Sequence, residues 1–252
     1  MKIGVTAGVW MVTLLGIFAA SPCAHAQVSE ATSRLVNGVV SNNPTVIRAA
    51  LDAGADVNAD TGEGRTPLIA AVMFSRPDAV KLLLERGADP NKRARDPGIG
   101  NAVSAAFFAM NGTELTGRAD ESDARKHAAA LEVLRLVAAK KPDLNVLVRR
   151  ATTDKTALMM AAEAGAFDAV QILLDAGANP NAMNGGKYTA LDYAVDRPPS
   201  WASGQSAFRV AIVKALLAAG AKKDHKGADG VLPVDRAKRS GNVEIEMLLA
   251  AR

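Results

Sequence analysis

The sequence holds one cysteine, three histidines and aromatic residues at only 4% of its 252 positions. Each scarcity closes a route. Cys23 lies in an N-terminal stretch read as removed, so the mature chain has no thiol. That excludes a cysteine nucleophile, a thiolate metal site and a disulfide framework, and leaves stability to packing. His25 goes with Cys23, and His127 and His225 stand far apart, a poor start for a zinc site. Exposed polar residues are the expected reading of both. No phosphate-binding GxxxxGK[ST], no GxGxxG after a strand, no GxSxG and no HExxH occurs. Asp120-Glu121-Ser122-Asp123 is acidic but lacks the spacing and glycine of a calcium loop, so it reads as a solvated helix start. A hydrolase built on it is the weakest functional alternative, since no nucleophile, base and orienter can be assembled around it. No cofactor, metal or catalytic residue is expected.

Long hydrophobic runs are also missing, apart from the N-terminus. Lys2 precedes an apolar stretch from Val9 to Ala20, broken only by Thr13 and Gly16, and Ala24-His25-Ala26 follows. This is the tripartite pattern of a secretory signal peptide, residues 1–26, cleaved after Ala26. The apolar run is too short to favour a membrane anchor, and Ala20-Ser21-Pro22 before Cys23 is a poor lipobox. A periplasmic or secreted protein with no membrane attachment after cleavage is therefore expected. Lys2 is the only formal charge removed, taking the net charge from +4 to +3. That is too mild to imply nucleic acid.

What is abundant is alanine, leucine and self-similarity. Thr156 to Asn181, TALMMAAEAGAFDAVQILLDAGANPN, reads as two short helices around a glycine turn. Leu158, Ala161 and Ala162 share one face, and Val170, Leu173 and Leu174 another. Thr156 is placed to cap the first helix, and Gly177 to end the second in a left-handed residue. The pattern recurs. Leu35 to Gly54, Leu68 to Gly87 and Leu158 to Gly177 are each separated by 19 positions. Gly54 to Asn58 reads GADVN, Gly87 to Asn91 GADPN, and Gly177 to Asn181 GANPN. Thr66-Pro67-Leu68, Thr156-Ala157-Leu158 and Thr189-Ala190-Leu191 open the units. The recurring Asp56, Asp89, Asp143 and Asn179, and the recurring Asn58, Asn91, Asn145 and Asn181, read as turn chemistry.

These motifs resemble the ankyrin repeat, over nearly the whole mature chain. Ile69, Met159, Asp192 and Asp235 occupy the place of that repeat's usual histidine. The resemblance implies an all-α solenoid of about six helix-turn-helix repeats with short β-hairpin-like loops. The ankyrin repeat domain spans 27–252, with units near 29–60, 61–93, 97–147, 152–183, 185–226 and 228–252. The first and last, rich in polar residues, read as caps.

Two units are over-long. Val103 to Leu136 is 33 positions against 16 from Thr66 to Leu82, an insertion of 17 within Gly112 to Ala129, with Gly112 taken as the turn. An extended second helix is compatible with it. Leu191 to Gly220 is 29 positions rather than 19, placing ten extra residues within Asp196 to Ala207. Both insertions fall between the helices of their unit, on the edge opposite the hairpins. Trp201, in a stiff Pro-Pro-Ser-Trp run, is the candidate interface anchor on the second.

By the same resemblance, partner-binding residues lie just before the opening Thr and at the pair before the mid-unit turn. Here these are Arg65, Lys155 and Tyr188 in the first set, with Met73, Phe74, Met110, Asn111, Glu163, Asp196, Arg197 and Arg239 in the second. Basic loop residues, including Arg93, Arg95, Arg149 and Arg150, point to an acidic protein surface as partner. The expected function is a non-enzymatic scaffold that binds another protein, as a monomer, with no nucleic acid and no cofactor. Resemblance to exported bacterial ankyrin proteins implies two roles: an inhibitor or immunity partner of a toxic enzyme, or an accessory of an envelope enzyme such as catalase. An envelope ligand- or glycan-binding module is the alternative from a different class.

Overall fold

The computed structural model describes residues 29–61, 64–114, 121–150, 153–196 and 206–251. The proposed signal segment, Arg197 and Trp201 lie outside them, as does most of the second insertion.

Short helices need strong starts, and this sequence supplies them. Helix α1 (Glu30–Val40) is capped by Ser29, whose side chain accepts from the Thr32 N–H. Asn43 caps α2 (Pro44–Asp52), and Thr66 caps α3 (Pro67–Met73) by accepting from the Ile69 N–H. Proline opens α2, α3 and α4 (Pro77–Glu85), where its missing N–H costs nothing. Helices α5 (Ala102–Glu114) and α6 (Glu121–Ala138) follow. Strands β1 (Val148–Arg150) and β2 (Thr153–Lys155) pair antiparallel, with Val148 opposite Lys155. Then come α7 (Ala157–Ala164), capped by Thr156, and α8 (Phe167–Asp175). The chain continues with α9 (Ala190–Val195), α10 (Ser206–Ala218), α11 (Pro233–Ser240) and α12 (Val243–Ala250).

The odd-numbered helices pack on one another in one layer and the even-numbered helices in a second. The fold is all-α, six stacked helix pairs, with one two-stranded β-hairpin among the described residues. Leu35, Leu68, Leu158 and Leu191, one per unit, are fully buried, as are Leu83, Leu173 and Ile212 on the second-layer helices. All belong to one continuous core. No unit closes a core by itself, so stability is shared between neighbours.

The turn residues divide their labour. Asp56, Asp89, Asp143 and Asn179 each accept, through Oδ1, the backbone N–H two residues on, in Asn58, Asn91, Asn145 and Asn181. Those asparagines reach further. Asn58, Asn91 and Asn145 accept from the backbone N–H of Asp89, Asp143 and Asn179, and Asn181 from Lys222. Their side chains therefore stitch each loop to the next, a role beyond local turn chemistry.

The first insertion corrects the expected turn. Helix α5 runs through Gly112 to Glu114 without reversing, and α6 begins at Glu121. Its extra residues lengthen both helices of the unit. Met110, which this extension carries into mid-helix, is 1% exposed. It is a packing residue, not an accessible partner contact.

Candidate protein-binding face

Residues of the first-layer helices and of the loops before them meet on one side of the array. There the fourth, fifth and sixth units build a continuous polar and aromatic network. Lys155, at the end of β2, reaches Glu163, near the end of α7, with its Nζ 2.7 and 2.6 Å from the two carboxylate oxygens. The same ammonium stands 4.7 Å from the centre of the Tyr193 ring on α9. The Tyr193 hydroxyl accepts from the Asn184 amide at 2.9 Å, and that amide also donates to the Asp154 carbonyl at 3.0 Å. Tyr193 meets Tyr188 edge to face, with centroids 6.3 Å apart.

Arg236 closes the row. Its guanidinium carbon lies 4.9 Å over the Tyr188 ring. It is hydrogen-bonded to Asp229, 3.3 Å from Asp192 and 3.8 Å from Asp196. Asp192 accepts from both the backbone N–H and the hydroxyl of Thr189, so the residue standing in the usual histidine position pins the start of α9. Burial works against the charge on Arg236, but its hydrogen bond to Asp229 and the nearby Asp192 and Asp196 carboxylates hold its affinity for the proton above the ordinary value. Desolvation, reinforced by Glu163, pushes Tyr193 up to about 12 despite the Asn184 hydrogen bond, keeping the phenol neutral.

Two glycines make room for Tyr188. A Cβ on Gly227 would lie 2.4 Å from its ring, and one on Gly186 2.8 Å away. Tyr188 is thus wedged between the loops of the fifth and sixth units with Arg236 across its face. Behind the row sits Arg209 of α10, buried, donating to the carbonyls of Ala194 at 3.0 Å, Asp196 at 3.3 Å and Glu163 at 3.0 Å. Desolvation lowers its affinity for the proton, and Asp196 and Glu163 pull the other way.

Of the residues singled out from sequence, Lys155, Glu163, Tyr188 and Asp196 come together here. Phe74 is exposed and Met73 and Arg65 half-buried on the second unit; Arg239 is exposed at the end of α11. Asn111 lies within α5. Sequence reasoning missed Tyr193, Asn184, Arg209 and Arg236. Tyr193 and Arg236 had a signal, since each stands four residues after the position that opens its unit. Among the described residues no cluster of three or more His, Cys, Asp or Glu side chains is arranged to hold a metal. No helix among them is long and apolar enough to cross a membrane. On the opposite, turn edge a cavity of about 190 Å³ is lined by Met110, His127, Phe167 and Phe208.

A family model for ankyrin repeats, in three copies, matches residues 24–94 and 124–227. The chain belongs to the ankyrin-repeat family. Ankyrin repeats are protein-interaction scaffolds, generally without enzymatic activity. Among solved structures, the array is similar to the ankyrin repeat protein EF0377, with 28% identity, a TM-score of 0.66 and coverage of 87% of this chain and 97% of that one. It is similar also to the ankyrin repeat domain ABAYE2397 from Acinetobacter baumannii AYE, with 26% identity, TM-score 0.66 and coverage of 85% and 95%. A third likeness, at 20% identity, TM-score 0.61 and coverage of 86% and 96%, is to a chain from the complex of the predatory endopeptidase Bd0816 of Bdellovibrio bacteriovorus with immunity protein Bd3460. No curated protein sequence matches this chain.

Proposed function

We propose that this ankyrin protein is an exported, non-enzymatic scaffold that binds a partner protein across its concave face and acts as an inhibitor or immunity partner of a toxic enzyme. The observation that carries the reading is the Lys155–Tyr193–Tyr188–Arg236 row. Tyrosine is among the residue types that dominate interface energetics, and Tyr188 and Tyr193 are the accessible members of the row. Here they are held by Asn184, Asp192, Asp229 and two glycines before any partner arrives, which lowers the ordering cost of binding. The likeness to a chain from an endopeptidase–immunity protein complex supports the inhibitory reading, and the N-terminal signal pattern supports export.

The test is affinity capture from envelope extract with the mature chain and its variants. Phe74→Ser and Asp196→Lys alter exposed concave positions, and Glu132→Lys alters the outer helix α6. A partner lost with the first two, kept with the third, and inhibited on addition of the purified chain meets the expectation. A partner insensitive to the concave substitutions, or one whose activity is untouched, refutes it.

A further inference from the structure

The concave-face reading leaves the partner's chemistry open, and the charges on that face define it. The inference below rests on that reading. Lys155 and Arg236 are withdrawn beneath carboxylates left outward, while Asp192 is buried and Lys187 and Arg239 stay exposed to either side. The Lys155 side chain is 19% exposed and that of Arg236 9%. Their partners Glu163, Asp229 and Asp196 are 37%, 35% and 63% exposed. Each cation lies against an aromatic ring and is covered by its own carboxylates, so an approaching surface meets oxygen first.

Glu163 and Asp196 occupy equivalent places, five residues after Leu158 and Leu191. One guanidinium bonds both main chains, since Arg209 donates to Glu163 O and Asp196 O. Their main chains are thereby tied to one side chain, and Tyr193 on α9 stands beside the Lys155–Glu163 pair. The same column carries Val40 and Met73 in the first two units and Arg239 in the last. The acidic stretch is therefore confined to the fourth and fifth units.

We propose that this stretch seats a basic segment of the partner protein, with lysine or arginine side chains placed against Glu163 and Asp196 and their stems along Tyr193. Arg149, exposed on the hairpin whose second strand ends at Lys155, and Lys187, exposed next to Tyr188, would repel a segment that overshoots the two carboxylates. The face therefore selects basic residues at the ends of α7 and α9 alone. This reverses the acidic partner that the basic loops imply when counted without their positions.

The test offers the mature chain to an array of short synthetic peptides graded from acidic to basic at matched hydropathy. Basic peptides are expected to be retained, less so as salt rises. Glu163→Gln with Asp196→Asn is expected to weaken them roughly 10-fold per carboxylate removed. Both substitutions are at accessible side chains, and circular dichroism and melting of the double variant check that the fold is kept; Asp196→Lys alone serves as a second variant, expected to abolish retention. Preference for neutral or acidic peptides, unchanged binding to the double variant, or no retained peptide overturns the proposal. Peptides of another charge that are lost on Phe74→Ser would leave the concave-face reading standing while removing the basic partner. Binding indifferent to every concave substitution would remove both.

Discussion

Arg209→Met is the perturbation that most directly tests how the fifth unit is held. The buried guanidinium serves three main-chain acceptors from the ends of α7 and α9. Helix α9 stops at Val195 and its next residue, Asp196, is extended, so no left-handed glycine folds back on its last carbonyls. Methionine keeps the stem's packing and removes every donor. The Ala194 bond is buried, and losing it strands a carbonyl at about 2 kcal/mol; the two part-buried bonds add about 1 kcal/mol each. Relief of the desolvated charge returns about 1 kcal/mol, leaving a net loss of about 3 kcal/mol. Urea unfolding should show a midpoint lowered by about 1 M at unchanged slope, and the melting temperature should fall by roughly 6–12 °C. Arg209→Lys should recover only part of this, because an ammonium cannot span both helix ends. A loss below about 1 kcal/mol for Arg209→Met would refute the clamp.

Three further outcomes follow from local geometry. The left-handed position after the second helix is taken by Gly177 at φ +95° but by Lys141 at φ +51°; Gly177→Ala should cost about 1 kcal/mol and Lys141→Gly should gain up to about 1 kcal/mol, measured by denaturant titration, although neither changes a packed contact. Gly227→Ala drives a Cβ into the Tyr188 ring, which Gly186 and Arg236 keep from yielding, so it should cost about 2 kcal/mol and diminish the near-ultraviolet tyrosine dichroism. Tyr193 has its folded pKa raised to about 12 from 10.0, so its contribution is complete below pH 10 and is lost as pH rises toward 12. Discounted for solvent screening this is at most ~1 kcal/mol, and Tyr193→Phe should flatten that part of the stability-against-pH curve.

The repeat was legible because its constraints are local. Thr66 and Thr156 cap the helices they precede, and Leu68, Leu158 and Leu191 are buried where the 3.6-residue period puts them. The turn glycines were legible for the same reason. Even the substitutes Ser75 and Lys141 adopt positive φ, because the stacking of neighbours imposes the turn on whatever residue stands there. The site was legible only at positions named by the repeat's own register, such as Lys155 and Tyr188. Tyr193 and Arg236 belong to the network through contacts between units, Tyr193 with Lys155 of the fourth and Arg236 with Tyr188 and Asp192 of the fifth. A pattern inside one unit cannot announce a partner in the next. Met110 failed for a related reason. The register placed it at a turn, but residues 111–114 continue its helix, and helix continuity outweighs register when the inserted residues can propagate it.

The second insertion connects the array's irregularity to its proposed work. A regular unit ends its first helix in a glycine turn, as α7 does at Gly165 with φ +75°. The fifth unit gives up that turn, and α9 is left with unsatisfied carbonyls at its end. The lengthened α10 supplies the missing donors through Arg209, so the segment that breaks the repeat also carries the group that repairs it. The repair is asymmetric, because the guanidinium also takes the Glu163 carbonyl of the fourth unit. It thereby fixes two carboxylate-bearing residues as neighbours, where a regular repeat would leave their spacing to packing alone. Arg209→Met should therefore weaken basic-peptide binding beyond what its stability loss accounts for at temperatures where the variant remains folded. Unchanged affinity in a folded Arg209→Met protein would show that packing sets the Glu163–Asp196 spacing without the clamp.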